Sequence, residues 1–153
     1  MSPRRTQGAV LIGGAALLFL LVEVGDLRFE WTPLLIGLTY LVAASIGGRR
    51  GSYWATACVI CGWGLGVVVL AETSLDVATD SGYLLAAGAG AVIAALLGRA
   101  GFAVDALGIA ACVFAAGAFF ALEPRVEALG MASTYAAALA VIGLVRLAGP
   151  ERG

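Results

Sequence analysis

Six long apolar stretches, separated by short polar gaps, make up most of this 153-residue chain. Each stretch has about 16 to 22 residues, and a helix that rises about 1.5 Å per residue would cross a hydrocarbon layer of about 30 Å. Apolar runs of this length exclude the alternating strands of a membrane barrel. The pattern therefore predicts an all-α integral membrane protein, a six-transmembrane-helix bundle in one polytopic domain over residues 1–153, with spans at about 8–24, 31–48, 52–71, 82–98, 102–122 and 128–147.

The charges in the gaps predict how the bundle is oriented. Seven arginines fall in alternate gaps, at positions 4, 5, 49, 50, 99, 146 and 152, whereas only Arg28 and Arg125 fall in the others. Arginine-rich short loops stay on the cytoplasmic side of a membrane, so we expect both termini to be cytoplasmic. Eight of the ten acids lie in the arginine-poor gaps, which agrees with this orientation. We therefore predict a multi-pass protein of the cell membrane.

The amino-acid composition of the chain excludes several classes of protein function. The chain is 61% hydrophobic and 12% charged, whereas soluble domains have roughly 45–50% apolar and 25% charged residues. The nearly balanced charge excludes a basic nucleic-acid-binding surface. The chain has no His, the commonest metal ligand and general base. It also has no sequence motif for a catalytic nucleophile with its base, for phosphate binding or for haem ligation. We therefore expect no enzyme, cofactor or metal, with the lipid bilayer as surroundings. The absence of Lys, His and Asn is typical of a GC-rich or halophilic prokaryotic genome.

The first apolar run follows two arginines, as a signal peptide would. No small-x-small cleavage site follows it in the segment 23–26, so we expect it to be retained as the first span. The outer gaps begin with Glu23, Glu72 and Glu123, which are spaced 49 and 51 residues apart, and the turn 48–51 is echoed at 98–101. This spacing indicates either three tandem helical hairpins or only the length that any two-span hairpin needs.

Candidate chemistry is sparse, because no ionisable side chain lies at the centre of a predicted span. Asp105 is nearest, about one turn into the fifth span. It is interpreted either as an interfacial acid that pairs with Arg99 or as an ion-linked site. Cys58, Cys61 and Cys112 lie at similar depth, where three thiols could converge on a soft metal; the alternative is ordinary apolar packing by cysteine.

Hydroxyl groups and one tryptophan are the candidates for a neutral polar cavity, and the alternative for them is structural hydrogen bonding. These residues are Tyr40, Thr56, Trp63, Ser133, Thr134 and Tyr135. Small residues recur on the helices, and such faces serve close helix packing or an oligomer interface. The recurring sets are Gly62-Gly64-Gly66, Ala86-Gly90-Ala94 and Gly108-Cys112-Ala116.

Two functions follow from these features. The first is a small transporter or channel for a neutral or weakly charged solute. The alternative is a non-catalytic structural or assembly subunit of a larger membrane complex. The small size of the bundle favours a homo-oligomer or a larger complex in either case. A cavity that reaches mid-depth would favour transport, whereas a dry and close-packed interior would favour the subunit.

Overall fold

The computed structural model describes residues 2–74, 78–122 and 125–148, and this part of the chain is helical with short connections. Its helices are α1 (Pro3–Leu18), α2 (Thr32–Gly47), α3 (Trp54–Glu72), α4 (Thr79–Arg99), α5 (Ala106–Leu122) and α6 (Ala132–Ala148). A π-helical segment, Phe19–Val24, extends α1, and a 3₁₀ turn, Phe29–Trp31, leads into α2. A second 3₁₀ turn, Glu127–Gly130, precedes α6.

Six helices occur at the six predicted spans, which confirms the all-α class. Four helical segments are long and apolar enough to cross a membrane: Pro3–Val24, Phe29–Gly47, Trp54–Glu72 and Thr79–Arg99. The last two helices are apolar but shorter, since α5 and α6 have 17 residues each. These lengths and compositions are those of a membrane protein.

The polar gaps gather at two ends of the bundle, as expected for consecutive antiparallel helices. At the arginine-rich end, the Ala103 N–H donates to the Arg49 carbonyl at 2.7 Å, and the Arg146 guanidinium donates to the Ser52 hydroxyl at 3.2 Å. At the acidic end, the Ser133 N–H donates to the Glu23 carboxylate at 2.7 Å. We use these two names, the arginine-rich end and the acidic end, throughout.

Glycines bring the helices into close contact. A Cβ atom on Gly37 of α2 would lie 2.6 Å from the Cys61 nitrogen of α3, and one on Gly64 would overlap the Leu34 backbone. Likewise, a Cβ atom on Gly8 of α1 would lie 2.8 Å from the Gly143 oxygen of α6. Backbones that approach this closely gain van der Waals contact, the main force for helix association in lipid. The small-residue set of α3 that contains Gly62 and the set of α4 that contains Gly90 also pack against each other within the bundle.

The described helices pack against one another as a chain of neighbours. α6 packs against α1, α1 against α2, α2 against α3, and α3 against α4. α5 packs against α3 and, more lightly, against α4. In the described residues α5 and α6, the expected third hairpin, make little or no contact with each other. The three-hairpin repeat therefore stays a prediction.

Candidate functional site

A cavity of about 430 Å³ lies between α2, α3, α5 and α6. This volume is within the range of small-molecule pockets, roughly 300–1,000 Å³. The 3₁₀ turn and α2 contribute Phe29, Glu30, Thr32, Pro33, Ile36 and Tyr40. α3 contributes Val59, Ile60, Trp63 and Val67, and α4 contributes Tyr83. The remaining wall comes from Cys112 and Ala115 of α5 and from Tyr135, Ala138, Leu139 and Ile142 of α6.

Two of the helices that line this cavity, α5 and α6, pack mainly against different neighbours. In the described residues α5 packs against α3 and α6 against α1, and contacts between α5 and α6 are few or absent. Ala115 and Ile142, which line the cavity from these two helices, are exposed and apolar. The lining that α5 and α6 contribute is therefore accessible and apolar.

The charged groups of the site lie at its acidic end. Arg28 donates through Nη2 to Glu30 Oε1 at 3.0 Å and through Nη1 to Glu72 Oε1 at 3.1 Å. The hydrogen bond with Glu30, together with the charges of Glu30 and Glu72, raises the pKa of Arg28. The ion pairs link the segment before α2 to the end of α3.

Aromatic rings surround the same end. The Phe29 and Tyr135 rings have centroids 6.0 Å apart, and Tyr83 lines the cavity from α4. The Tyr135 hydroxyl donates to the Leu129 carbonyl at 2.6 Å, which restrains the ring. Phe29, Tyr83, Tyr135 and Glu30 thus come from the start of α2, of α4 and of α6, and all lie at one end of the cavity.

The cavity extends away from the acidic end as far as Tyr40. Tyr40 is only 7% exposed, and its ring lies 5.2 Å from that of Tyr53. The Arg146 guanidinium lies 4.6 Å from the centre of the Tyr53 ring. A positive charge over a ring face is stabilising. The stacked side chains of Tyr40, Tyr53 and Arg146 connect the deep part of the cavity to the arginine-rich end.

Three of the six predicted cavity residues line this cavity: Tyr40, Trp63 and Tyr135. Thr56, Ser133 and Thr134 do not line it. Ser133 lies at the acidic end, where its N–H meets Glu23, and the Thr134 hydroxyl donates to the Ala128 carbonyl at 2.6 Å. Both fit the alternative structural interpretation, because α6 begins later than predicted and the two residues belong to its first turn.

Asp105 lies outside the cavity, just before α5. Its Oδ1 accepts a hydrogen bond from the Leu107 N–H at 3.1 Å, as a residue that caps a helix N-terminus does. Within the described part of the chain, no ion pair joins Asp105 to Arg99. The nearby arginine is instead Arg50, which shares a shallow surface depression with Asp105. The geometry of Asp105 is that of a helix cap.

The three cysteines lie on two helices, Cys58 and Cys61 on α3 and Cys112 on α5. Cys61 packs against Gly37 of α2, the Cys58 carbonyl faces Gly90 of α4, and Cys112 lines the cavity. Residues 2–74, 78–122 and 125–148 contain no group of three His, Cys, Asp or Glu side chains placed to hold a metal ion. Apolar packing by cysteine fits these contacts better, and the thiol cluster stays a prediction. The side chain of Ala116, in the small-residue set of α5, lies outside the described residues.

Sequence reasoning missed four lining residues at the acidic end: Phe29, Glu30, Thr32 and Tyr83. Thr32 is 1% exposed, and its hydroxyl has no hydrogen-bond partner among the described residues. These four residues resemble the interfacial residues of any membrane helix. The only signal for them in the sequence is that polar and aromatic residues cluster at three helix starts that fall in the predicted arginine-poor gaps.

Comparison of the chain with protein-family models, with curated proteins and with solved structures finds no match. The arrangement of its own residues is therefore the basis for any functional inference.

Proposed function

We propose that this protein is a small polytopic transporter of the cell membrane, with six spans and both termini cytoplasmic, for a neutral or weakly charged solute. One observation supports the proposal above others: a cavity of about 430 Å³ inside the bundle reaches from the acidic end to Tyr40. With the arginine-rich end in the cytoplasm, the acidic end faces outward.

The lining defines the kind of solute. Glu30 is the one charged residue in the described lining, and aliphatic and aromatic side chains make up most of the rest. Moving a strongly hydrated ion from water into such a lining costs much free energy. The lining is therefore unlike that of a hydrophilic ion channel. A largely apolar solute fits the cavity better.

A matched pair of substitutions on α6 tests transport. Ala138 lines the cavity, whereas its neighbour Ala137 is exposed and does not. The protein is reconstituted into liposomes, and influx of radiolabelled neutral and singly charged aromatic solutes is compared with that into protein-free liposomes. We expect influx several-fold above background for the wild type and for Ala137→Phe, and background influx for Ala138→Phe. Equal influx for wild type, both variants and empty liposomes would contradict transport.

The second candidate is a non-catalytic subunit of a larger membrane complex, and the packing of α5 favours it. Leu107 and Phe114 of this helix are 75% and 78% exposed, and the helix contacts only one side of the bundle closely. A partner subunit or a second copy of the chain would cover this face. Copurification in mild detergent tests the idea: a stoichiometric second component or a defined oligomer supports it, and a homogeneous monomer speaks against it.

A further inference from the structure

We propose that the cavity binds a lipophilic organic monocation, with the positive charge at the acidic end and the apolar body extending toward Trp63. This inference rests on the proposed function and specifies the substrate class of the same site. It follows from three properties of the cavity: its aromatic content, the sign of its charge, and its apolar deep lining.

The aromatic content is concentrated. The chain has 13 aromatic residues, and five of them line the cavity, including three of its four tyrosines. Three rings, those of Phe29, Tyr83 and Tyr135, lie at the acidic end with Glu30. Ring faces carry partial negative charge and attract organic cations, by about 0.5–1 kcal/mol at exposed sites and about 2 kcal/mol where water is excluded. A quaternary ammonium group is bound in this way.

The charge at the acidic end is complementary to a cation. Arg28, Glu30 and Glu72 form one connected group with one positive and two negative charges, so its net charge is −1. Of the two carboxylates that pair with Arg28, Glu30 is the one that lines the cavity. No basic side chain is present in the described lining. A carboxylate ligand would be repelled at this end, whereas a monocation would neutralise it.

The deep lining of the cavity suits an apolar body. Ile36, Val59 and Trp63 continue the cavity away from Glu30, and burial of apolar surface there contributes about 25 cal/mol per Å² relative to water. The two parts of the cavity therefore match the two parts of a lipophilic cation.

The test compares probes that differ only in charge. 4-Phenylbutyl-trimethylammonium is measured against its neutral isostere, in which a quaternary carbon replaces the nitrogen, and against a carboxylate with the same skeleton. Dissociation constants are obtained by equilibrium dialysis on protein in nanodiscs, with empty nanodiscs correcting for partition into lipid. We expect the cation to bind about tenfold more tightly than the neutral isostere and the carboxylate to bind most weakly. Equal affinity for the cation and the isostere would overturn the proposal.

Variants distinguish a binding role of Glu30 from a structural one. Glu30→Gln is expected to weaken cation binding about five- to tenfold while affinity for the neutral isostere changes less than about twofold. Arg28→Gln breaks the same ion pair but makes the site more negative, so cation binding should stay equal or become tighter. Tyr135→Phe, which keeps the ring, should retain cation binding that Tyr135→Leu loses. Equal losses for Glu30→Gln and Arg28→Gln would overturn the proposal, because the ion pair would then act only on structure.

The binding test and the transport test fail in different ways. If charge does not affect binding but Ala138→Phe still abolishes solute influx, the cation assignment is wrong and transport stands. If the cation binds as expected but no solute crosses the liposome membrane, the site is correct and the transporter is wrong.

Discussion

The α2–α3 interface and the surroundings of α5 are built from similar small residues but pack very differently. On α3, a Cβ atom added to Gly64 would overlap the Leu34 backbone. On α5, a Cβ atom added to Gly108 would meet the Ala55 methyl group at 3.5 Å, and one added to Gly117 would meet none of the described atoms within 4 Å. A small residue therefore permits close approach but does not produce it. The facing helix must supply a complementary surface.

The same difference creates the cavity. Tight glycine contacts hold α2 against α3 and α1 against α6, whereas α5 has no comparable contact with α6 in the described residues. The space between the tightly packed helices and α5 is the candidate binding site. Loose packing in one part of the bundle thus has a functional interpretation, since ligand sites in helix bundles lie between helices.

The largest expected effect comes from matched glycine substitutions in the two regions. Gly64→Ala should lower the free energy of unfolding by about 2–3 kcal/mol, because the added methyl group forces α2 away from α3. Gly117→Ala should leave stability unchanged or raise it by up to about 1 kcal/mol through helix propensity. Reversible unfolding in mixed micelles with increasing SDS measures both. A Gly117→Ala loss as large as that of Gly64→Ala would remove the distinction between the regions.

Hydrogen exchange should separate the same two regions without mutation. Amides of α5 should exchange at least about tenfold faster than those of α3 in nanodiscs, because fewer neighbours restrain α5, and a tenfold difference corresponds to about 1.4 kcal/mol in opening free energy. Mass spectrometry of peptides from 106–115 and 54–72 provides the comparison. Equal protection of the two helices would mean that α5 is held by contacts, such as an oligomer interface, beyond the single chain.

A buried hydrogen bond tests whether close packing alone holds the tight region together. The Gln7 side-chain amide is 3% exposed and donates to the Ala43 carbonyl at 2.9 Å, which links α1 to α2. Gln7→Met keeps the side-chain shape and should cost about 1 kcal/mol of unfolding free energy. Ser45→Ala is the control, because this exposed hydroxyl bonds only to Leu41 of its own helix. Equal effects of the two variants would show that the interhelical bond contributes nothing of its own.

The smallest effect is expected at the exposed ion pairs of the acidic end. Arg28→Gln removes both contacts of the guanidinium, but water and counter-ions screen such pairs, so the unfolding midpoint should shift less than it does for Gln7→Met. The same SDS titration measures this shift. A larger shift would mean that the ion pairs, and not the glycine contacts, fix α2 against α3.

Local sequence pattern predicted the six helices well, with bounds within a few residues. The fifth and sixth helices start four residues later than predicted, at Ala106 and Ala132 rather than at 102 and 128. The segments before them are loop and 3₁₀ turn, where Asp105 caps α5 and Glu127–Gly130 precedes α6. Hydropathy does not distinguish these apolar turns from helix, which is why the predicted span places Ser133 and Thr134 about one turn deeper than they lie.

The sequence by itself determined the helices, their two polar ends and the absence of central charges. In lipid, each helix must satisfy its own backbone hydrogen bonds, so a local apolar run is enough to specify it. Only the tertiary structure decided which small-residue faces meet, and that Phe29, Glu30, Tyr83 and Tyr135 share one end of a cavity. In apolar helices that pack in lipid, the faces that meet do not differ in polarity from the other faces. The sequence therefore does not indicate which faces meet. Their pairing depends on shape complementarity between distant segments, which only the folded bundle brings together.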